Sequence, residues 1–244
     1  MDPKDTLMIL KENGKGLKAE GIIRLAYQEF GRKVNFATSL GEEDQVITDM
    51  ISRVAPDVEI FTLDTGRLFP EAYDLLAKTQ KKYPHLRFKI YCPNTHSVET
   101  MVQEKGINLF YESMENRKLC CHVRKVEPLR RALFNMDAWI VGLRRQQAVT
   151  RANAETFEWD EENAKIKINP LAEWSLEDVH RYIKEHNVDV SPLHTKGFVS
   201  IGCACCTRAI KPGEDIRAGR WWWEQPEQKE CGLHNNPKWK GHKK

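Results

Sequence analysis

Residues 34–54 read VNFATSLGEEDQVITDMISRV, and the fold turns on them. Val34 to Ala37 forms a short apolar strand, Thr38 to Asp44 a turn of small and acidic residues, and from about Glu43 to Val54 apolar side chains recur at helical spacing. A strand, a tight turn and a helix N-terminus in succession make a place where backbone N–H groups can hold an anion. The turn lacks the Gly-Lys-Ser/Thr ending of a Walker-type P-loop, and an ordinary helix start has the same look.

The alternation extends to both sides. Leu17 to Phe30 predicts an amphipathic helix stopped by Gly31; after the central unit come strand Val58–Leu63, helix Glu71–Lys82, strand Phe88–Tyr91, a helix near Val98–Lys105, helix Cys121–Phe134 and strand Trp139–Gly142. A further helix is expected after Ser175, with Glu177 and Asp178 in its first turn. Strands alternating with helices predict an α/β fold with a doubly wound, mainly parallel sheet, in which ligands sit outside the carboxyl ends of the strands. Three loops there carry suitable groups: Ser39, Gly41, Glu43 and Asp44; then Asp64, Thr65, Gly66 and Arg67; then Arg144, Arg145 and Gln147. Guanidinium pairs suit phosphate and sulfate because the planar fork presents several donors, although Arg144 and Arg145 would serve equally as a solvated pair.

Composition narrows the class. The 244 residues carry a formal net charge of +3, with 41% hydrophobic and 30% charged side chains and no long apolar run, which argues against a membrane protein and for an unexported, cytoplasmic one. So small a charge, spread among acidic residues, does not by itself indicate a nucleic-acid binder. Seven cysteines without a secretory leader point to reduced thiols in metal or catalytic roles. Cys120 and Cys121 are adjacent, and Cys203 and Cys206 form a Cys-x-x-Cys pair with Cys205 between them, a further thiol able in principle to replace one ligand. Two pairs of soft thiolates suit zinc or an iron–sulfur cluster, and the adjacent pair, unusual for structural zinc, favours iron and sulfide. Residues 1–210 read as a nucleotide-binding α/β domain with the cysteine pairs. Residues 211–244 read as a C-terminal tail too small for its own core and free to close over a ligand. In that tail Cys231 has Lys229 and His234 within a few residues, cations that favour a nucleophilic thiolate, though an accidental tail cysteine reads the same locally.

Together these residues resemble the assimilatory sulfonucleotide reductases, specifically the iron–sulfur adenylylsulfate (APS) reductases. The resemblance runs from Thr38 to His234 and rests on Cys120-Cys121-His122-Val123-Arg124-Lys125-Val126-Glu127-Pro128-Leu129, Ser200-Ile201-Gly202-Cys203 with Cys206-Thr207, Arg217-Ala218-Gly219-Arg220-Trp221-Trp222-Trp223, and Lys229-Glu230-Cys231-Gly232-Leu233-His234. It implies a nucleotide alpha-hydrolase-like fold, a [4Fe-4S] cluster on Cys120, Cys121, Cys203 and Cys206, and homo-oligomeric assembly. It also implies reduction of APS to sulfite and AMP through an S-sulfocysteine on Cys231, with Lys125 between cluster and substrate and His234 beside the nucleophile. Arg217 and Arg220 join the strand-end loops as substrate-binding residues, and thioredoxin or glutaredoxin is the reductant. The sequence departs from the family at Cys205, where proline is usual, and at Ala148, where serine is common. Rival readings are a 3′-phosphoadenylylsulfate (PAPS) reductase, whose typical members lack both cysteine pairs; a zinc-stabilised nucleic-acid-binding module; and an ATP pyrophosphatase, whose Ser-Gly-Gly-x-Asp-Ser loop is absent here.

Overall fold

Strands β1 (Val34–Thr38), β2 (Glu59–Leu63), β3 (Phe88–Tyr91), β4 (Ala138–Val141), β5 (Phe157–Asp160) and β6 (Lys165–Ile168) form one sheet in the order β3-β2-β1-β4-β6-β5. All pairings are parallel except β5 with β6, which closes that side as an antiparallel hairpin. The structure is a computed structural model that describes residues 2–147 and 151–225. Phe36 faces Ile60 on one side and Ile140 on the other, so the registers bring like side chains into rows.

Both faces of the sheet are covered, as the near-continuous apolar strands require. Helices α1 (Pro3–Asn13), α2 (Ala19–Phe30), α3 (Glu42–Val54) and α8 (Leu176–Glu185) bury Leu10, Ile23, Ile47, Ile51 and Val179 with Phe36, Ile60, Ile140 and Ile168. On the other face α7 (Glu127–Leu133) packs Leu129 and Leu133 against Phe61, Trp139 and Val141. Ile60 and Phe61, like Ile140 and Trp139, divide between these two cores because successive strand side chains point oppositely. Each such fully buried side chain contributes about 1.5–3 kcal/mol of transfer free energy.

The α4 (Pro70–Lys82) and α5 (Thr95–Lys105) crossovers lie where the alternation predicts them, α5 starting earlier because Asn94 caps it by accepting from Ser97 N at 3.0 Å. Ser175 likewise caps α8 with a capping box closed by Asp178. The expected helix from Cys121 is the second half of a longer rod: α6 (Met114–Cys121), a π-helical turn (His122–Val126) and α7. Pro128 lacks the N–H that an unbroken α ladder needs, and the wider turn lies just ahead of it. The helix α1 and the β5–β6 hairpin have no counterpart in the sequence reading. None of the described helices is long and apolar enough to cross a membrane.

Candidate active site

The strand order reverses between β1 and β4: β2 and β3 lie on one side of β1, β4 and β6 on the other. The loops leaving β1 and β4 therefore face each other across the crevice where an α/β sheet takes its ligand. From the β4 loop, buried Arg144 donates through Nε to Glu43 Oε1 of α3 at 2.8 Å. Gln147 braces that loop by accepting from Arg144 N at 3.2 Å and from Arg151 Nη1 at 2.6 Å. From the β1 loop, Ser39 donates to Asp44 Oδ2 through its N (2.6 Å) and its Oγ (2.7 Å). Burial nevertheless pushes the Asp44 carboxyl up to about 6, against the lowering effect of Ser39. Gly142 is packed so tightly that a Cβ there would stand 2.1 Å from Asp44 Oδ1. Gly41 begins α3 with no side-chain cap, which leaves the helix terminus open toward the crevice. Ser39, Gly41, Glu43, Asp44, Arg144 and Gln147 are thus gathered at the switch point. Arg145 turns away, donating from Nε to Ala154 O at 2.7 Å and pairing with Glu173.

One strand over, the β2 loop joins the crevice to the thiols. Asp64 Oδ1 accepts from Gly66 N and from Tyr73 OH, both at 2.8 Å; burial first and then this carboxylate push the Tyr73 phenol up to about 12. Gly66 turns the chain at φ 68°, a conformation glycine adopts without strain. Thr65 Oγ1 lies 3.3 Å from Cys203 Sγ, and Arg67 O accepts from Ala204 N at 2.8 Å.

The thiols themselves line one small cavity. Cys120 and Cys121 come from the end of α6, Cys203, Cys205 and Cys206 from the loop, and Arg67, Phe110, Arg117, Arg124, Lys125 and Trp221 complete the wall. The π turn carries Arg124 and Lys125 into it, both buried. Arg124 Nη1 donates to Thr65 O at 2.7 Å, so rod and β2 loop are tied as well. Thr207 Oγ1 donates to Cys203 O at 2.9 Å and accepts from Gly202 N at 3.2 Å, shaping the loop around its 3-10 turn (Ala204–Cys206). Burial pushes the Cys120 thiol up, with Arg124 opposing. The Cys205 and Cys206 sulfurs are 3.8 Å apart; their shared hydrogen bond draws Cys205 down and holds Cys206 up.

Five thiols lining one space are a donor set of the soft kind that an iron–sulfur cluster takes. Among the described residues no three Cys, His, Asp or Glu side chains converge on a single metal position, yet five thiols surround a common space.

The rest of the expected set divides. Arg220 is buried, donates to Ile201 O at 3.3 Å and lies 4.6 Å from the Trp221 ring centroid; Arg217 N donates to Asp215 Oδ1 at 2.8 Å. Of the tail, residues 211–225 are described; Lys211 to Ile216 are mostly exposed, whereas Gly219 to Trp221 are buried, Trp221 being 1% exposed with its N donating to Cys206 O at 3.2 Å. Cys231, His234 and Ala148 lie outside the described residues. Cys92, at the end of β3, is exposed.

Three residues at the site had been given no role. Arg124 stands within a motif already singled out, Tyr111 OH donates to Cys205 O at 2.7 Å, and Arg117 makes a buried, two-pronged contact with Glu224. For two of them the signal is the helical spacing 117, 120/121, 124, which puts two arginines on the face that presents the cysteines.

The chain is similar to known proteins of one family over most of its length. A family profile described as the phosphoadenosine phosphosulfate reductase domain matches residues 33–209. A protein of Allochromatium vinosum named adenosine 5′-phosphosulfate reductase is 52% identical over 199 residues, 82% of this chain and 77% of its own. One of the same name from Agrobacterium fabrum is 47% identical over 219 residues, 90% of this chain and 84% of its own. A crystal structure of phosphoadenylyl-sulfate (PAPS) reductase from Candida auris in a phosphate complex is 31% identical, with a TM-score of 0.71 over 82% of this chain and 95% of that one. A Candida glabrata FMN adenylyltransferase, 14% identical with a TM-score of 0.55, shares the fold. The chain therefore belongs to the phosphoadenosine phosphosulfate reductase family, on the side of its relatives named adenosine 5′-phosphosulfate reductases.

Proposed function

We propose that the protein reduces adenylyl sulfate (APS) to sulfite and AMP in assimilatory sulfate reduction, with thioredoxin or glutaredoxin as electron donor, in the cytoplasm. The observation that carries this reading is the junction at Thr65 and Arg67: one loop borders both the nucleotide crevice and the thiol cavity. Cys120, Cys121, Cys203 and Cys206 would hold a [4Fe-4S] cluster there. When bound, it supplies a fixed charged body beside the substrate and ties the loop at 203–206 to the rod.

The chain's own residues do the rest. The open N-terminus of α3 and the Arg144 loop receive the nucleotide, with Ser39, Gly41, Asp64 and Gln147 around it. Lys125, Arg67 and Arg124, which line the thiol cavity, would supply positive charge toward the transferred sulfonate, and Arg217 and Arg220 would add charge from the tail. The Cys231 thiolate, favoured by Lys229 and His234, attacks the sulfate sulfur. An S–S bond forms, the S–O bond to the phosphate breaks, and AMP leaves with that oxygen. A thiolate of the reductant then attacks Cys231 Sγ, and sulfite departs with the electron pair of the S–S bond. The reductant's second thiol resolves the mixed disulfide, so a dithiol is oxidised as the sulfonate sulfur is reduced.

The choice of APS over PAPS rests on the five-thiol cavity and on the names of the relatives near half identity. A single turnover of reduced, anaerobically purified protein with APS or PAPS, without reductant, tests both choices by intact mass and peptide map. An SO3 adduct on Cys231 forming much faster with APS is expected. Faster reaction with PAPS overturns the substrate, and no adduct from either, in protein that retains its metal centre, overturns the thiol attack.

A further inference from the structure

Arg117 is buried at 1% side-chain exposure, and its partner Glu224 at 5%. The two lie 107 positions apart in the chain and meet through both prongs of the guanidinium, Nε to Oε1 at 2.9 Å and Nη2 to Oε2 at 2.7 Å. Burial works against the charge on Arg117, but Glu224 and then the Cys121 thiol hold its pKa above the ordinary value. Its guanidinium also lies 4.8 Å from the centroid of Trp221, whose other neighbour is Arg220 at 4.6 Å. Trp221 itself is held at φ 40°, a left-handed conformation that a bulky side chain adopts only when its surroundings impose it. Segment 221–224 is therefore fastened to the cavity wall at Cys206 O, at the Trp221 ring and at Glu224, with the last turn closed by Glu224 N donating to Trp221 O at 2.8 Å.

We infer that Arg117 is a positioning residue: through Glu224 it pins this segment beside the thiol cavity and so sets where the chain carrying Cys231, seven residues further on, begins. A paired, bidentate arginine suits the task because it fixes direction as well as distance, and a lysine would not. The inference deepens the proposed reaction and rests on Cys231 as its nucleophile.

The test uses Glu224→Gln, which keeps the side-chain shape, and Arg117→Lys, which keeps the charge without the fork, each in the full-length, anaerobically purified protein. Iron and sulfide content and AMP affinity are expected to match the parent within about twofold, while trypsin cleavage after Arg217 and Arg220 becomes about tenfold faster and SO3 transfer from APS to Cys231 about tenfold slower. Cleavage and transfer at parental rates overturn the inference. So does a transfer rate that falls only in step with lost iron or weakened AMP binding, since Arg117 would then merely support the ligands or the crevice. If the parent itself transfers no sulfonate, the proposed reaction fails on its own account. The cleavage rates still decide between pinning and none.

Discussion

Thr65 Oγ1 stands 3.3 Å from Cys203 Sγ while also accepting from Arg67 N at 3.2 Å, so one hydroxyl joins the loop after β2 to the thiol loop 138 positions away. Valine has nearly the same shape and neither bond. Thr65→Val is therefore expected to cost about 1–2 kcal/mol and to lower the iron retained on purification, with Thr65→Ser restoring most of both. Denaturant unfolding and iron analysis read the outcome, and parental iron content in the valine variant would refute the bridging role.

Gly142 is required by space, since a Cβ would stand 2.1 Å from Asp44 Oδ1 and 3.2 Å from Glu43 Cβ. Gly142→Ala must push α3 and the β4 loop apart at the switch point. A loss of about 1–3 kcal/mol in stability is expected from overpacking. AMP binding, measured by calorimetry, should weaken by about tenfold or more.

Asp44 makes the stability pH-dependent in the less common direction for a carboxylate. Burial raises it from 3.8 to about 6 in the fold, so between those values the folded chain binds more protons than the unfolded one. The contribution is fully present below about pH 4, falls as pH rises through 6, and is then lost, a swing of about 3 kcal/mol for two units. Asp44→Asn does not titrate. Relative to the parent, this variant should gain about 2 kcal/mol between pH 4.5 and 7, the part of the swing that falls in that range; a difference that stays constant would contradict the raised carboxyl.

Cys205 shares the cavity with four other thiols but is more exposed than they are. Cys205→Ala is expected to keep the iron and sulfide of the parent, whereas alanine at Cys120, Cys121, Cys203 or Cys206 abolishes them. Loss on replacing Cys205, with retention on replacing Cys206, would exchange their roles.

Much of this site was legible in one dimension because its parts are local. The strand–turn–helix at residues 34–54, the Cys-x-x-Cys loop and the cysteine pair on a helix each depend on neighbours within one or two turns of chain. Ser175 and Asp178 were read as a helix start for the same reason, and a capping box is what they form. The hairpin β5–β6 escaped because its short alternating strands, Phe157–Asp160 and Lys165–Ile168, carry charged residues on their open faces and no strong turn dipeptide. The two arginines of the 142–147 loop looked equivalent in sequence, yet Glu43 holds Arg144 at the switch point while Ala154 and Glu173 draw Arg145 away.

The order of the elements from α2 to β4, the loops rich in ligand-binding groups and the pairing of thiols along the chain were determined by the sequence alone, since periodicity and short-range spacing encode them directly. Which loops meet was decided only in three dimensions. The switch point arises from β4 pairing with β1 instead of β3, and the meeting of Thr65 with Cys203 and of Arg117 with Glu224 arises from side chains more than a hundred positions apart. Such contacts depend on how the sheet and its covering rod pack as a whole, and no local pattern records them.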